Sequence, residues 1–463
     1  MREHDLVVVG SGSGLDVASA AASQGWDVGL IEEGALGGTC LNRGCIPSKY
    51  LVHRADVAET IQHAGQFGIQ AEITDVDFAG IVREVSAHVD EESAAIRRGI
   101  ESSDRHTLYD GEGRFVDERT FRVEGYDERV RGEHVLVAAG SRPQEPSIEG
   151  LDGVEYLTSK EALRLTERPQ DFVMIGGGYV SVELAHFFAT FGVDVTIVQR
   201  PAHLLPDDDR EVADALTAAY RDRPNVEVLT NTEATAVRET DGTVVVEADG
   251  PDGPVERRGD ELLVATGRVP NTDRLDAAAG GVETDAAGFV VTDDHLRTTA
   301  ENTWALGDVV GEYLYKHSAN YEAGVVARNL VYDRDVTADY AAMPHAVFGS
   351  PQVAGVGETE EDLRAADREY VFRTYAYDNT AMGGAMQVDV GFVKVLVDPA
   401  GGEILGCHVV GPHASSLIHE VVVAMRSAGG TVEAIRDAVH VHPALNEVIS
   451  RAFSGQFHRP EGH

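Results

Sequence analysis

The chain has 463 residues, which is too long for one hydrophobic core and predicts about three domains. Its 78 acidic residues against 38 basic ones give a formal net charge of -40, which argues against nucleic acids and anionic membranes as partners, because no basic patch can hold phosphates. Only four residues are lysines, and this composition is typical of proteins that work in molar salt, where dissolved ions screen self-repulsion.

The start of the chain is predicted to be a βαβ unit that binds a dinucleotide. Its strand, glycine turn, helix and second strand are expected at residues 6–9, 10–14, 16–24 and 26–31. Gly10, Gly12 and Gly14 allow the backbone to approach a pyrophosphate, which the helix N-terminus also attracts. Glu32 ends the second strand, where a carboxylate can accept a hydrogen bond from a ribose hydroxyl. Leu15 replaces the small residue usual at its position, so the complete unit is a stronger signal than the turn alone.

The most specific feature is a pair of cysteines in the segment GGTCLNRGCIPSK, residues 37–49. In a regular helix Cys40 and Cys45 would be separated by a rise of roughly 7.5 Å, whereas the Cα atoms of a disulfide lie within roughly 7 Å. The glycines and the proline of the segment permit the distortion that closes this gap. A redox-active pair is favoured over two structural cysteines, and over a zinc site, because no second pair of ligands is nearby. Lys49 needs a carboxylate partner if it is buried, and Glu183 is the candidate.

The cysteine content and the N-terminus predict a cytoplasmic protein. Three cysteines are too few for a disulfide framework, and the third, Cys407, is expected to be a small buried residue of a strand. The first residues lead directly into the predicted strand without the regions of a signal peptide. No apolar stretch reaches the roughly 20 residues that a membrane span requires.

A second βαβ unit is predicted about 165 residues after the first. Residues 59–98 are expected to be helical, and residues 110–137 to be rich in strands that lead to Gly140. The second unit follows, with its strand, glycine turn, helix and second strand at residues 172–175, 176–178, 180–190 and 193–198. Two such units in one chain imply two dinucleotide-binding domains.

The second unit favours NADPH over NADH. Gly176 and Gly178 form its turn, and Ser181 is small enough for the helix to pack on the strand. The second strand ends in Gln199-Arg200, where an NAD-selective site usually places a carboxylate. A guanidinium suits a 2′-phosphate, which a carboxylate would repel. The alternative is that Arg200 is an ordinary solvated charge.

The rest of the chain is predicted to complete the first domain and to add an α+β domain. A strand ends at Gly267, another includes Asp308, and a helix is expected at residues 316–331. After residue 341 the pattern changes to alternating strands and helices without a glycine turn. The strands are expected at residues 346–348, 370–377, 391–398 and 403–410, and the helices at residues 415–428 and 432–438.

A histidine near the end of the chain is a candidate acid and base. His442 is followed by Pro443, and Glu447 lies five residues beyond the histidine. A histidine can protonate a departing thiolate, and a carboxylate would hold its tautomer and raise its basicity. From local sequence alone a structural histidine is the better interpretation, because other histidines such as His440 lie close by.

With these motifs in view, the chain resembles the flavin-dependent pyridine nucleotide–disulfide oxidoreductases over essentially its whole length. The cysteine segment is very specific to that family, and Ala265–Asn271, Ala305–Asp308 and His442 with Glu447 support the resemblance. It implies two Rossmann-like domains for FAD and NAD(P) and a C-terminal α+β dimerisation domain. The implied boundaries are residues 1–150 for FAD, 151–270 for NAD(P), 271–338 for a segment that completes the FAD site, and 339–463 for dimerisation.

The resemblance also implies a role for each motif. Cys45 would face the flavin and Cys40 would exchange with the substrate, while His442 and Glu447 would serve the active site of the partner subunit in a homodimer. Tyr179 would shield the flavin, and Asp308 would contact its ribityl chain. The residues implied in binding the two cofactors, FAD and NADPH, are Gly10, Gly12, Gly14, Glu32, Gly38, Thr39, Lys49, Gly140, Gly176, Gly178, Tyr179, Glu183, Arg200, Gly267 and Asp308.

Within the family, the sequence favours a reductase of a small disulfide. The tail, residues 453–463, lacks the cysteine pair of mercuric and large thioredoxin reductases, and residues 311–323 resemble mycothione reductase. Halophilic archaea use γ-glutamylcysteine rather than mycothiol, so bis-γ-glutamylcystine is the expected substrate. The alternative is dihydrolipoamide dehydrogenase, against which Gln199-Arg200 stands. Pro206 occupies the place of a second arginine found in NADPH-using relatives, which weakens the NADPH prediction.

Overall fold

The computed structural model describes residues 1–427 and 429–460. Its first unit contains a parallel sheet that begins with the first residues of the chain. The elements are β1 (Arg2–Val9), α1 (Gly14–Ser23), β2 (Val28–Glu32), α2 (Gly38–Arg43), α3 (Cys45–Gln62), α4 (Phe78–Glu101), β3 (His106–Asp110), β4 (Gly113–Asp117), β5 (Thr120–Val123) and β6 (Val130–Val137). The strand order is β3-β2-β1-β6-β5-β4, with β1, β2, β3 and β6 parallel to one another.

The second unit repeats this arrangement on a smaller scale. Its elements are β7 (Ser141–Pro143), α5 (Ser159–Ala162), β8 (Asp171–Ile175), α6 (Tyr179–Thr190), β9 (Asp194–Val198), α7 (Arg210–Arg221), β10 (Val226–Leu229), β11 (Glu233–Thr240), β12 (Thr243–Gly250), β13 (Gly253–Gly259) and β14 (Glu261–Val264). The unit contains a parallel sheet of order β10-β9-β8-β14 and a separate antiparallel sheet of order β11-β12-β13. The predicted second βαβ unit is therefore confirmed as β8-α6-β9.

The chain then returns to the first sheet. The elements of this segment are β15 (Arg268–Pro270), α8 (Thr272–Leu275), β16 (Thr303–Ala305) and α9 (Lys316–Val326). Strand β15 pairs with β7, and β16 adds to the first sheet in parallel with β6. Asp308, three residues beyond β16, is thereby brought to the carboxyl ends of the first unit's parallel strands, where ligands of such sheets bind.

The last unit is an α+β domain, as the sequence predicts. Its elements are β17 (Pro344–Val347), β18 (Val353–Gly357), α10 (Glu360–Ala365), β19 (Val371–Ala376), α11 (Ala381–Met386), β20 (Phe392–Val397), β21 (Ile404–Val410), α12 (Ala414–Arg426), α13 (Glu433–Arg436) and α14 (Glu447–Ala452). The sheet is antiparallel, in the order β17-β18-β21-β20-β19. Cys407 is buried in β21, as expected. In the part of the chain that the structure covers, no helix is long and apolar enough to cross a bilayer.

Several element predictions are wrong in detail. The helical stretch expected at residues 59–98 is two helices, because α3 ends at Gln62 and α4 begins only at Phe78. A short 3-10 helix, Ala64–Phe67, follows α3 and ends at Gly68, which is left-handed (φ 76°). Strand β18 was missing from the prediction, and the helix expected at residues 316–331 changes to π-helical geometry at Ala327. The last residue of the helix predicted at residues 415–428, Ala428, lies outside the described residues.

Candidate active site

A cleft of about 1630 Å³, partly open to solvent, lies between the first and second units. Its walls come from the glycine turn of the first unit, from α2 and α3, from the start of α6 and from the loop after β16. The sequence-predicted residues that line it are Gly10, Gly12, Glu32, Gly38, Thr39, Cys40, Cys45, Lys49, Gly140, Tyr179, Glu183 and Asp308. The cleft therefore brings together motifs that are up to 298 residues apart along the chain.

The first glycine turn is shaped so that its backbone faces the cleft. Gly10 has φ 101°, and a Cβ there would lie 2.2 Å from the carbonyl oxygen of Ala138. A Cβ on Gly12 would meet no atom within 4 Å and would occupy open space. At Gly14 it would lie 2.9 Å from Val8, so this glycine provides the close packing of helix on strand that Leu15 cannot. The turn leaves the N-terminus of α1 accessible to an anion.

Glu32 holds this turn in place from the end of β2. Its carboxylate accepts hydrogen bonds from the backbone N–H and the hydroxyl of Ser11, at 2.8 and 2.7 Å, and from the N–H of Gly34 at 2.9 Å. The carboxylate is nearly buried and also borders the cleft. Because each carboxylate oxygen has two lone pairs, Glu32 can still accept a ligand hydroxyl.

The two cysteines lie on either side of a helix break. Cys40 belongs to α2, Cys45 is the first residue of α3, and Gly44 between them has φ -145° and ψ -120°. The departure from helical geometry that the spacing required is therefore located at Gly44. Both cysteines are free thiols in this structure, and their side chains are hydrogen-bonded to each other.

This hydrogen bond makes the two sulfur atoms chemically different. It lowers the pKa of Cys45 to about 7, against the opposing effect of burial and with help from the charge of Lys49. The same hydrogen bond raises the pKa of Cys40, as do burial and the charge of Cys45. Cys45 is therefore the thiolate of the reduced pair near neutral pH, and Cys40 is the thiol that donates to it.

Lys49 is paired with Glu183, the partner that the sequence analysis selected. The Lys49 Nζ lies 2.6 Å from both carboxylate oxygens of Glu183, and it also lies 4.6 Å from the ring centroid of Phe348. The backbone N–H of Phe348 donates to the same carboxylate at 3.1 Å. Lys49 from the first unit, Glu183 from the second and the backbone N–H of Phe348 beside β17 therefore form one cluster. Both charges of the cluster act on the pKa of Cys45.

Asp308 is anchored by residues that sequence reasoning did not assign. The hydroxyl of Ser141 donates to its carboxylate at 2.5 Å, and Arg268 Nε donates to Ser141 at 2.7 Å and lies 3.6 Å from Asp308. Arg268 belongs to a segment quoted for the family resemblance, which was the available signal. Tyr179 is the first residue of α6 and borders the same cleft.

The cleft has the features that FAD requires. A turn without side chains and a helix N-terminus fit a pyrophosphate, Glu32 fits a ribose hydroxyl, and Asp308 at the carboxyl end of the sheet fits the hydroxylated chain that links the ring system to the phosphates. Cys45 and Lys49 border the same cleft, which would place redox-active sulfur in the site that holds the ring system. The residues present therefore fit FAD.

The second glycine turn repeats the geometry of the first. Gly176 has φ 103°, and a Cβ there would lie 2.3 Å from the carbonyl oxygen of Ala265, while a Cβ on Gly178 would meet no atom within 4 Å. Gln199 Oε1 accepts from the N–H of Gly177 at 2.9 Å, as Glu32 does from Ser11. A neutral amide therefore replaces the carboxylate of the first unit.

Arg200 extends from this second turn into solvent. Its side chain is 78% exposed and forms an ion pair with Glu233, itself exposed, at 3.8 Å, which is longer than a hydrogen bond. An exposed ion pair of this kind is weak, so an anionic ligand can compete with Glu233 for the guanidinium. Arg200, like Gly14, Gly176, Gly178 and Gly267, does not border the cleft of the cysteines.

The histidine and carboxylate near the C-terminus form the expected pair. His442 Nδ1 lies 3.0 Å from the Glu447 carboxylate, and this hydrogen bond lowers the pKa of Glu447. The His442 side chain is 71% exposed and does not border the cleft of its own chain. Its Nε2 atom is therefore free to serve a site on another molecule.

Lys316 is a cleft residue that the sequence analysis did not select. It is the first residue of α9, it borders the cleft, and its Nζ donates to the hydroxyl of Ser13 at 2.7 Å. Its charge acts to lower the pKa of Cys40, against the larger effects of the Cys45 hydrogen bond and of burial, which raise it. The scarcity of lysine in the chain was the signal that could have identified it.

Comparison with known proteins gives full-length matches. Models described as "Pyridine nucleotide-disulphide oxidoreductase" and its dimerisation domain match residues 4–328 and 343–453. A mycothione reductase of Mycobacterium tuberculosis is 35% identical, over 98% of this chain and 100% of the relative. A dihydrolipoyl dehydrogenase of Halobacterium salinarum is 36% identical, over 97% and 95%. The Cu(II) complex of the HOCl-induced flavoprotein disulfide reductase RclA from Escherichia coli has a TM-score of 0.87 and 28% identity, over 98% and 99%.

Proposed function

The chain belongs to the pyridine nucleotide–disulfide oxidoreductases, FAD-containing enzymes that use NAD(P)H, and we propose that it reduces bis-γ-glutamylcystine with NADPH. The observation that carries the proposal is the pair Cys40 and Cys45, a thiol and a thiolate at the end of a cleft that fits FAD. Such a pair stores two electrons as a dithiol and releases them when a disulfide forms.

The choice of substrate rests on the relatives and on composition. The chain matches a mycothione reductase over its whole length, which supports a small thiol as the product. The net charge of -40 supports a salt-adapted protein, and γ-glutamylcysteine is the thiol expected in such archaea. Bis-γ-glutamylcystine, the disulfide of that thiol, is the substrate that agrees with both observations.

The preference for NADPH rests on the second glycine turn. Gln199 occupies the place that Glu32 occupies in the first unit, so no carboxylate there repels a 2′-phosphate. Arg200 adds an exposed guanidinium beside it, which can bind a phosphate through two parallel hydrogen bonds.

In the proposed reaction FAD, which Gly10, Gly12, Glu32 and Asp308 would hold, would supply the two-electron chemistry that links NADPH to the Cys40–Cys45 disulfide. The side chains carry out the rest. Cys40 loses its proton to His442 of the partner subunit and attacks one sulfur of the substrate disulfide, which releases the first thiolate. His442 returns the proton to that thiolate. Cys45 then attacks the Cys40 sulfur, which re-forms the protein disulfide and releases the second thiolate for protonation.

The division of labour follows from the pKa values of the two cysteines. Cys40 has a raised pKa and therefore needs a base before it can attack, whereas Cys45 is already a thiolate near neutral pH. Neither His442 nor Glu447 borders the cleft of its own chain, so the base would come from a second copy of the chain. We therefore propose a homodimer formed through the last unit, consistent with its match to a dimerisation domain.

Steady-state kinetics with paired substrates tests the proposal. NADPH and NADH are each assayed with bis-γ-glutamylcystine and with lipoamide. All four assays use the same salt concentration, in the molar range. We expect the highest kcat/KM for NADPH with bis-γ-glutamylcystine, and loss of turnover in Cys45→Ser. Rapid reduction of lipoamide with NADH, and none of bis-γ-glutamylcystine, would reject the substrate and the cofactor together.

The second candidate function is dihydrolipoamide dehydrogenase. The observation in its favour is the 36% identity to a dihydrolipoyl dehydrogenase of a halophilic archaeon over almost the whole chain. The second strand of the nucleotide unit ends in Gln199-Arg200 where an NAD-selective enzyme usually has a carboxylate, and this argues against that function. The assays of both nucleotides with both disulfides separate the two functions.

A further inference from the structure

The loop after β9, residues 199–209, lies against the second glycine turn. Gln199 Oε1 accepts from the N–H of Gly177 at 2.9 Å, and the N–H of Leu205 donates to the carbonyl oxygen of Gly177, also at 2.9 Å. A Cβ on Gly177 would lie 2.7 Å from the side chain of Leu204, which is fully buried. Because the loop holds both backbone hydrogen-bonding groups of this glycine, the shape of the turn depends on where the loop lies.

The far end of the loop is attached to the last unit by a buried ammonium. Asp209 is fully buried, and its carboxylate caps α7 by accepting from the N–H of Glu211 at 3.2 Å. Lys394 of β20 is fully buried as well, and its Nζ donates to the Asp209 carboxylate at 3.0 Å and to Glu360 at 2.6 Å. A buried carboxylate that loses its cationic partner is strongly unfavourable, so this end of the loop is held firmly to the last unit.

A second contact lies beside the first. His345 Nε2 of β17 is 2.7 Å from the carboxylate of Asp208, the residue before Asp209. Two strands of the last unit therefore hold two successive residues of a loop that belongs to the second unit. Between these contacts and the glycine turn lie only the few residues from Leu205 onward, so a shift of the attached end would reach the turn directly.

We infer that Lys394 and His345, although they belong to the last unit, are positioning residues for the nicotinamide nucleotide. Through the loop they fix the second glycine turn, whose backbone would face the pyrophosphate. The inference rests on the proposed function only in that the second unit binds a nicotinamide nucleotide, and it is independent of the disulfide. NADPH and NADH have the same pyrophosphate, so the affinity for both should depend on this attachment.

Equilibrium binding of NADP⁺ and of NAD⁺ to the holoenzyme tests the inference. The variant is Lys394→Gln with Asp209→Asn, which removes one charge of each sign. Asparagine still caps a helix, and Glu360 keeps its hydrogen bond from Arg364 at 2.6 Å, so no buried carboxylate is left without a partner. We expect both nucleotides to bind about 3- to 10-fold more weakly, because the turn is no longer preorganised.

A milder variant tests the second contact by itself. His345→Leu removes the donor to Asp208 from a side chain that is 23% exposed and leaves the Lys394 pair intact. Both nucleotides should bind about two- to threefold more weakly, because one hydrogen bond to a charged group is lost. Melting temperatures of all variants show whether the fold is retained.

Hydrogen exchange, followed by mass spectrometry, shows where the attachment acts. The N–H groups of Gly177 and Leu205 form the hydrogen bonds between turn and loop, so in the double variant they should exchange at least about threefold faster. The internal control is the N–H of Ser11, which forms the corresponding bond to Glu32 in the first turn and should exchange at an unchanged rate.

The matched control is Lys160→Gln, which removes an exposed ammonium from the second unit and should change neither affinity nor exchange. Unchanged affinity for both nucleotides in the double variant would overturn the inference, as would exchange that accelerates equally in both glycine turns. Failure of the proposed function gives different results. A wild type that binds NAD⁺ as tightly as NADP⁺, or does not reduce bis-γ-glutamylcystine, rejects the proposed cofactor or substrate, while the effect of Lys394 on both nucleotides would remain.

Discussion

Cys40 and Cys45 have the same side chain, but the hydrogen bond between them makes Cys40 the thiol donor and Cys45 the thiolate acceptor. Removing the donor in Cys40→Ala should raise the pKa of Cys45 from about 7 toward the ordinary value of a cysteine, about 8.5. In the wild type the lowered pKa of Cys45 keeps the thiolate until the pH falls through about 7. In the variant the thiolate should be protonated already at a higher pH. The pH dependence of Cys45 alkylation, followed by mass spectrometry, gives both midpoints.

Cys40→Ser is the matched control for this titration, because the serine hydroxyl can still donate to the thiolate. Its midpoint should lie between those of the wild type and Cys40→Ala. Cys407 is fully buried and should not react in either variant. An unchanged midpoint in Cys40→Ala would show that Lys49 alone holds the thiolate.

Arg200 provides a second prediction at the scale of single residues. Arg200→Gln should raise the KM for NADPH by about tenfold or more, because a charge-assisted contact to the 2′-phosphate is lost. The KM for NADH, which has no such phosphate, should stay within about twofold. Arg221→Gln, a change of the same charge at the end of α7, is the control. Equal effects on the two nucleotides would contradict the assignment.

Among the elements, the break between α2 and α3 decides whether the two sulfur atoms can meet. A Cβ on Gly44 would lie 3.0 Å from the carbonyl oxygen of Thr39 and 3.4 Å from the Cα of Cys40. Gly44→Ala should therefore push the end of α2 away and slow closure of the disulfide by about tenfold, since disulfide geometry tolerates little displacement. The measurement is the rate at which a thiol oxidant consumes the two thiols of the reduced protein.

Gly99→Ala is the control for this substitution. Gly99 lies inside α4, and a Cβ there would meet no atom within 4 Å. Because alanine favours a helix over glycine, this variant should be more stable by roughly 0.5–1 kcal/mol, with an unchanged rate of disulfide closure. Closure that is equally fast in Gly44→Ala would show that the break does not depend on glycine.

At the scale of the whole molecule, the position of His442 predicts an active site shared between two subunits. Cys45→Ser and His442→Ala should each be inactive alone. When both are expressed together, a mixed dimer contains one site with an intact Cys45 and an intact His442. The mixture should therefore recover about one quarter of wild-type activity, because half of the dimers are mixed and each has one working site. No recovery would place the acid and base within a single chain.

The charge of the molecule predicts a strong dependence of stability on salt. With a net charge of -40, repulsion opposes the compact state at low ionic strength. Raising sodium chloride from about 0.1 to about 1 M shortens the screening length from about 10 to about 3 Å, so the melting temperature should rise steeply over this range. Sucrose at equal osmolality, which does not screen charge, is the control. A flat melting temperature would argue against adaptation to salt.

Local patterns in the sequence determined the two βαβ units, because strands, glycine turns and helix starts follow from short-range preferences. The same patterns failed at residues 59–98, where α3 ends at Gln62 and a 3-10 turn that closes at left-handed Gly68 separates it from α4. Strand β18 was missed because its register is set by pairing with β17 and β21, which are distant in sequence. Domain boundaries at residues 150, 270 and 338 stay a prediction.

For the site, the sequence by itself determined the candidate groups, through the spacing of Cys40 and Cys45, the scarcity of lysine and the expected pairing of His442 with Glu447. Only the tertiary structure decided which of these groups meet. It joined Lys49 to Glu183 across 134 residues, made Cys45 rather than Cys40 the thiolate, and brought Lys316 to the cleft. The physical reason is that pKa values and ion pairs depend on distances between side chains, which the fold sets and local sequence does not.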